Sequence, residues 1–269
     1  SILESSFPYD FPTPIEKRYI NKENEIWRLI PFIKNSVCFE NISDPNQSYE
    51  AAKCLGNFYY SLQKFDAQNL HLTIPDFHNA IKRYSQFKEA ISNATQERLS
   101  ESILLIKNIQ KEKETLIKFD DLNNTLPKRV CHFDTKISNF LFDINTNRVK
   151  AIIDFDTLMP GTVLSDIGDM IRTYSNPLGE ESSDFENVKA DRKIINLIIT
   201  AFLEGAGGML TEKEKSCLLF GGKALTLIQC IRFLTDFLNN DIYFKTIYKN
   251  QNWVRAKNQW HLYCSLKKI

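Results

Sequence analysis

The segment Val130–Asp156 constrains the fold of this chain more than any other. Two short apolar or β-branched runs, Phe140–Phe142 and Val149–Ile153, stand on either side of Asp143, Asn145, Thr146, Asn147 and Arg148, which are turn formers or polar residues. That alternation predicts a β-hairpin. Counted outward from Thr146, Asn139 lies seven residues before the tip and Asp154 eight residues after it. An antiparallel pairing returns both side chains to one end. Asp134, five residues before Asn139, sits on the loop feeding that end.

Two oxygen-bearing side chains at a hairpin mouth, with a third carboxylate on the adjoining loop, suit a hard divalent cation such as Mg²⁺, which takes oxygen ligands and keeps positions for phosphate. Phosphoryl transfer runs on positioning and charge neutralisation, plus one carboxylate to accept or orient the proton of the attacking hydroxyl. Asn139 and Asp154 are the candidate metal ligands and Asp134 the candidate base. Taken singly, Asp and Asn here are ordinary loop residues. The order His-x-Asp-x-x-x-x-Asn, strand, turn, strand, Asp-Phe-Asp is what is specific.

The remainder reads as mainly helical. From Asp44-Pro45 onward Ala52, Leu55, Phe58 or Tyr59, Leu62 and Phe65 recur at a helical period, with Ser48 as candidate cap. Further helices are expected over about 97–118 and 187–204, after Thr211, where Thr211-Glu-Lys-Glu214 spells a capping box, and from Trp253 to Leu266, with Trp253 and Trp260 in the core. Gly205-Ala-Gly-Gly208 follows a helix and lacks phosphate-loop spacing, so it predicts a connector. Near the start, the proline-rich stretch 7–14 excludes helix, and Lys17–Ile20 and Glu25–Ile30 around Asn21–Asn24 predict another β-hairpin. The fold class is α+β.

With 269 residues and 43% apolar content the chain can bury a substantial core, and a net charge of +1 argues against nucleic acid or an anionic membrane as partner. The six cysteines are scattered, without zinc-ligand spacing, and read as reduced thiols of a cytoplasmic protein. No apolar run reaches the roughly 18 residues of a membrane span. Gln229, Arg232 and Asp236 align on one face of an otherwise apolar segment. Arg232 therefore either pairs with Asp236 at a solvated edge or faces a pocket.

His132-Phe-Asp-Thr-Lys-Ile-Ser-Asn139 and Ile152-Ile-Asp-Phe-Asp156 resemble the catalytic and metal loops of the aminoglycoside-phosphotransferase and choline-kinase superfamily, which has the protein-kinase-like fold. Asp154-Phe-Asp-Thr-Leu-Met-Pro-Gly161, Asp166-Ile-Gly-Asp-Met-Ile-Arg172, Ile231–Leu238 and Asp241–Lys245 further resemble the N-acetylhexosamine 1-kinase branch. The resemblance implies Asp134 as base, Asn139 and Asp154 holding Mg²⁺ on ATP, and His132 and Asp166 supporting the catalytic loop. It also implies Lys136, Arg232 and Tyr243 at a sugar acceptor, and a nucleotide hinge at Phe32 and Ile33. Residues 1–36 would be a partial small lobe and 37–269 the helical large lobe. Asp156 stands where protein kinases have the glycine of Asp-Phe-Gly.

A glycine-rich phosphate loop, a strand lysine and its helix glutamate are not recognisable, and the first glycine is Gly56. Either the numbered chain begins part-way through the small lobe or the natural protein has lost those parts; the joint presence of Asp134, Asn139 and Asp154 favours the former. The function expected is an ATP- and Mg²⁺-dependent sugar kinase. The alternatives are an aminoglycoside- or choline-type phosphotransferase acting on an amino alcohol, and a pseudokinase-like binding module.

Overall fold

Asp44, rather than Ser48, starts the first long helix. Its side chain accepts from Asn46 N at 2.9 Å, Gln47 Oε1 accepts from Asp44 N at 3.2 Å, and Pro45 occupies the first turn, where no amide is needed. Ser48 is buried inside that helix. The computed structural model describes residues 6–10, 12, 13, 19–23 and 25–269.

In chain order the elements are β1 (Ile20–Lys22), β2 (Glu25–Trp27), β3 (Ser36–Val37), α1 (Pro45–Ser61), α2 (Ala80–Asn93), α3 (Gln96–Lys111) and α4 (Lys113–Thr125). Then follow β4 (Arg129–Cys131), β5 (Phe140–Asp143), β6 (Val149–Ile152), β7 (Met159–Gly161), α5 (Val163–Tyr174), α6 (Arg192–Gly205), α7 (Glu212–Leu238) and α8 (Gln251–Leu266). The first hairpin, β1 with β2, is antiparallel and exposed. Lys17 and Arg18 of its expected first strand lie outside the described residues. Phe7 is buried against Phe58, and Asp10 N donates to Lys150 O, so this part of the proline-rich stretch is held by the large lobe without forming a long helix.

The single helix expected over 97–118 is two. Glu112 leaves helical geometry at φ −96° and ψ 13°, and its carboxylate instead accepts from Tyr263 and pairs with Lys267 on α8. Tertiary contacts here outweigh local propensity. Likewise α6 starts at Arg192 rather than near Asn187, because Asp191 caps it through Lys193 N and Ile194 N. The capping box at Thr211 is formed, and the 205–208 stretch connects α6 to α7 with Gly207 and Gly208 at positive φ. Trp253 and Trp260 are partly buried against the core, Trp253 stacked on Phe237.

Two apolar clusters hold the large lobe. One joins α1, α5, α6 and the β5–β6 hairpin; the other joins α2, α3, α4, α7 and α8. α1 and α6 approach so closely that a Cβ on Gly205 would lie 2.3 Å from Lys53 O, and one on Gly56 would lie 2.4 Å from Phe202 O. Only glycine fits at that crossing, which explains a glycine in mid-helix. α7 runs through the interior. By length and apolar content it passes for a membrane span, contrary to expectation, but 67% of its most apolar stretch is buried inside the protein, as for a core helix.

α7 is also tied to β4 electrostatically. Arg129 forks onto Glu214, with Nε to Oε1 at 2.6 Å and Nη2 to Oε2 at 2.8 Å, and the Glu214 side chain is 0% exposed. Burial pushes the Glu214 carboxyl up, but the bonds from Arg129 and from Thr211 outweigh it and hold it below the ordinary glutamate range. A depressed carboxyl stabilises the fold above its unfolded pKa, about 4.3, and that contribution is lost as the pH falls through the folded value. Arg129→Met leaves the carboxylate buried and unpaired, at a cost of about 3–5 kcal/mol near neutrality. Denaturant titration across pH is expected to show this deficit shrinking in acid; a deficit independent of pH would contradict the pairing.

Candidate active site

The hairpin has the predicted register with one irregularity. Phe140 faces Ile152 and Leu141 faces Ala151, whereas Phe142 faces Val149, so Lys150 is the extra residue of a bulge. The bulge shifts the pairing by one, so that Asn139 comes opposite Ile153, each seven residues from Thr146, and Asp154 is the next residue along. Ile153 N donates to Asn139 O at 2.9 Å and locks the open end, so Asn139 and Asp154 leave it together. Asp154 adopts the left-handed conformation, φ 65° and ψ 62°, which turns the chain out of β6 into the Asp-Phe-Asp loop.

Asp134 is held from three sides. Asn139 Nδ2 donates to Asp134 O at 2.8 Å and to Asp134 Oδ2 at 3.0 Å, while Lys136 Nζ donates to the same Oδ2 at 2.8 Å. Both donors converge on Oδ2, and Oδ1 accepts from neither. Burial opposes the Lys136 ammonium, yet its bond to Asp134 and the charges of Asp134, Asp154 and Asp169 prevail and hold its pKa above the ordinary lysine value. Three carboxylates therefore act on one ammonium.

His132 and Asp166 brace this loop. His132 Nε2 lies 2.9 Å from Ile153 O, and a carbonyl only accepts, so the hydrogen-bond network puts the proton on Nε2 and leaves Nδ1 to accept from Asp134 N. The ring thus bridges the base and the end of the β5–β6 hairpin. Asp166, buried on α5, accepts from His132 N and Phe133 N, each at 2.7 Å, and from Tyr59 OH at 3.0 Å. Those bonds fix Phe133 at φ 67°, the strained step before Asp134. Burial pushes the Asp166 carboxyl up despite them.

Further residues join the site to which the sequence reading gave no role. Asp169, one turn beyond Asp166, accepts from Thr135 N at 3.2 Å, and Tyr174 OH donates to Thr135 O at 2.7 Å, so the residue after the base is clamped on both backbone groups. Arg172 forks onto Asp169 Oδ1, at 3.1 and 2.8 Å, and reaches Glu180 Oε2 at 2.8 Å. The three-residue spacing of Asp169 and Arg172 on a helix is a readable signal; Glu180, on a loop, has none. Arg28, just after β2, pairs with Asp156 and so links the first hairpin to the Asp-Phe-Asp loop.

Asp134 and Lys136 line a cavity of about 360 Å³ with Asn41, Arg172, Asn176, Glu180, Glu181 and Gln259. Arg232 and Tyr243 line a different cavity that shares none of those residues. The guanidinium of Arg232 stays near enough to Arg172 for that charge to lower its pKa, after burial and Arg83. The alternative of an Arg232–Asp236 pair is not formed: Asp236 accepts from Tyr243 N, Phe244 N and Asn252 Nδ2. Phe32 is 84% exposed, and Ile33 O accepts from Ser36 Oγ at 2.6 Å.

Fitness for a metal can be tested on the donors. Asn139 uses its amide nitrogen on Asp134, leaving Oδ1 as an acceptor, and among the described residues Asp154 is an exposed carboxylate with no hydrogen bond of its own. Among the same residues no group of three His, Cys, Asp or Glu side chains forms a self-sufficient metal cage. Two oxygen donors suit Mg²⁺ shared with a phosphate-bearing substrate.

A small sheet lobe, a larger helical lobe and a hairpin presenting Asp134, Asn139 and Asp154 at one mouth define a kinase-like phosphotransferase. Residues 8–186 match the model of the APH phosphotransferase enzyme family, more than half of the chain, and the chain belongs to that family. It is an enzyme that phosphorylates a small-molecule hydroxyl. Ethanolamine kinase from Plasmodium vivax superposes with a TM-score of 0.56 at 16% identity, covering 100% of this chain and 72% of that one. A choline/ethanolamine kinase family protein from Mesorhizobium loti gives 0.54 at 12%, covering 96% and 74%. Choline kinase from Cryptosporidium parvum gives 0.51 at 13%, covering 93% and 73%. At such identities the likeness establishes the fold and not the acceptor.

Proposed function

We propose that the protein is an ATP- and Mg²⁺-dependent kinase of a polyhydroxylated acceptor, an N-acetylhexosamine or similar hexose, with Asp134 as base and Asn139 and Asp154 as metal ligands. The observation that carries this is the free Oδ1 of Asp134, on a carboxylate whose other oxygen is held by Lys136 and Asn139, beside a cavity lined by planar polar side chains. An acceptor hydroxyl bound there is oriented by Oδ1 and gives up its proton to it. Mg²⁺ bound with the nucleotide would neutralise charge on the phosphates, and Asn139 Oδ1 and Asp154 are the groups available to hold it. Lys136, paired with Asp134, is placed to balance charge on the transferred group. His132 keeps the loop and the hairpin end in register. Residues 1–36, with Phe32 and Ile33 as hinge, serve the nucleotide on this proposal.

The lining supports the sugar class. Asn41, which is exposed, and Gln259, whose Oε1 is buried without a hydrogen-bond partner, offer amide groups to hydroxyls, whereas a quaternary ammonium is best held by aromatic faces. Tyr174 is the aromatic side chain on this lining, and its hydroxyl is committed to Thr135 O. An amino alcohol is the second reading, favoured by the carboxylates of Glu40, Glu180 and Glu181 on the same lining. Arg232 and Tyr243 enter the acceptor reading through the resemblance alone.

Initial rates of ADP release with MgATP and a panel of N-acetylhexosamines, hexoses, choline, ethanolamine and an aminoglycoside test this directly. Acceptor-dependent release is expected with a hexose derivative, with the product phosphate identified by ³¹P NMR. Release with choline or ethanolamine alone would transfer the assignment to the second reading, and MgATP binding without any acceptor-dependent release would leave a binding module.

A further inference from the structure

Four side-chain amides of α8 are buried, those of Gln251, Asn252, Asn258 and Gln259, and three of them are used at both ends. Gln251 Oε1 accepts from Ile247 N at 2.7 Å, and its Nε2 donates to Glu181 Oε2 at 2.8 Å. Asn252 Nδ2 donates to Asp236 and Asp241, and its Oδ1 accepts from Arg255. Asn258 Nδ2 donates to Gly179 O and Ser182 O, at 2.9 and 3.0 Å, and its Oδ1 accepts from Asn176 Nδ2 at 3.1 Å. Gln259 is the exception. It is 1% exposed, its Nε2 donates to Asn258 Oδ1 at 3.3 Å, and its Oε1 is buried and meets no donor among the described residues.

This exception falls on the wall of the cavity that Asp134 and Lys136 also line. A buried acceptor with no donor destabilises a fold, and folded proteins keep few of them. Flipping the amide would set Oε1 against Asn258 Oδ1, one acceptor facing another, so the network fixes the amide with Oε1 unpaired. Other polar groups of the same wall are engaged with one another. Asn176 Oδ1 accepts from Leu178 N, and Arg172 reaches Glu180. The bond from Gln259 to Asn258 is long, so this flexible side chain can turn its amide toward the cavity while giving up little.

We infer that Gln259 is a specificity contact for the acceptor: its Oε1 takes a hydrogen bond from a second donor, a hydroxyl or an N–H, on the molecule whose hydroxyl is phosphorylated at Asp134. The role rests on the reading of this cavity as the acceptor site. A carboxamide oxygen accepts and does not donate, so it selects a group that a polyol, an acetamido sugar or a primary amine carries and that a quaternary ammonium lacks. A site built around such a bond rejects the analogue that cannot make it, because the buried partner is then stranded. In the unliganded chain the unmade bond weakens the fold, and the bound acceptor makes it good.

Gln259→Met, which keeps the length of the side chain and removes the unpaired oxygen, tests this on two readouts in the full chain. Without ligand the variant is expected to melt about 2–4 °C above the wild type. With MgATP its kcat/KM for the acceptor is expected to fall about tenfold, the size of one lost buried hydrogen bond, through KM for the acceptor and with KM for MgATP unchanged. In the wild type choline, which has no second donor, should be used less efficiently than ethanolamine or a hexose derivative, and the variant should narrow that gap. A lower melting temperature would show that Oε1 is satisfied in the fold, and an unchanged KM for the acceptor would show that it meets no substrate; either overturns the role of Gln259. If Gln259→Met fails to fold by circular dichroism, Gln259→Leu takes its place, and failure of both marks a structural amide and also overturns it. Wild-type protein that releases no ADP with any acceptor would remove the acceptor reading itself, and this contact with it.

Discussion

Asp134→Asn is expected to lower turnover by about 10²–10⁴-fold, the usual contribution of a general base, while the affinity for MgATP stays within a few-fold. The substitution keeps the shape of the side chain, and its Oδ atom can still accept from Lys136 and Asn139, the two donors that hold the carboxylate now. What disappears is the acceptor for a proton at the other oxygen. The loop itself is fixed by bonds that do not involve the Asp134 carboxylate, chiefly those of Asp166 to His132 N and Phe133 N. Folding stability should therefore change little. Steady-state kinetics with an equilibrium nucleotide-binding measurement separate the effects; a fall in nucleotide affinity that matches the fall in turnover would mean that Asp134 serves the nucleotide instead.

Arg172→Met is expected to produce the largest loss of stability among single substitutions near the site, about 3–5 kcal/mol. Arg172 bridges Asp169 and Glu180, with side-chain exposures of 12% for Arg172 and 11% for Asp169. Removing the guanidinium leaves Asp169 buried beside Asp134 with only Thr135 to bond. At about 2–4 °C per kcal/mol for a chain of this size, the melting temperature should fall by roughly 10 °C. Burial first, and the nearby Asp134 charge, push the Asp169 carboxyl up even with Arg172 present. A folded pKa above the unfolded one means that the native state takes up the proton more readily, so the deficit grows as pH rises through the carboxylate range and shrinks in acid. Arg172→Lys should recover part of the loss, since an ammonium lacks the fork that spans two carboxylates. Equal losses in the two variants, independent of pH, would contradict the bridge.

Much of the centre is legible in the sequence because it depends on order along the chain. Hairpin arithmetic brings Asn139 and Asp154 to one end, and the bulge at Lys150 shifts the count by one without moving them apart. Capping chemistry reads correctly at Thr211, where the box is local, but points to Ser48 for α1 because the reciprocal pair there is Asp44 with Gln47 rather than the Ser/Thr with Glu that pattern favours. The break at Glu112 has no local signal, since its partners Tyr263 and Lys267 are on the last helix. The same limit hides Glu180 from the Asp169–Arg172 pair. The expectation of Arg232 and Lys136 at one acceptor comes from the resemblance and not from local pattern; the two line separate cavities. Periodicity places a residue on a helix face but not in a cavity. Long-range side-chain pairing is the part of this fold that local pattern does not encode.

If Asn139 and Asp154 act on one metal in one centre, as proposed, the Mg²⁺ dependence of kcat/KM in Asn139→Ala, Asp154→Ala and the double variant tests it most directly. Each single substitution is expected to raise the Mg²⁺ requirement at least about tenfold, with the double variant scarcely worse than the more damaging single one, as holds for residues that work as a unit. Effects that multiply in the double variant would show two independent sites and contradict a shared metal at the hairpin mouth.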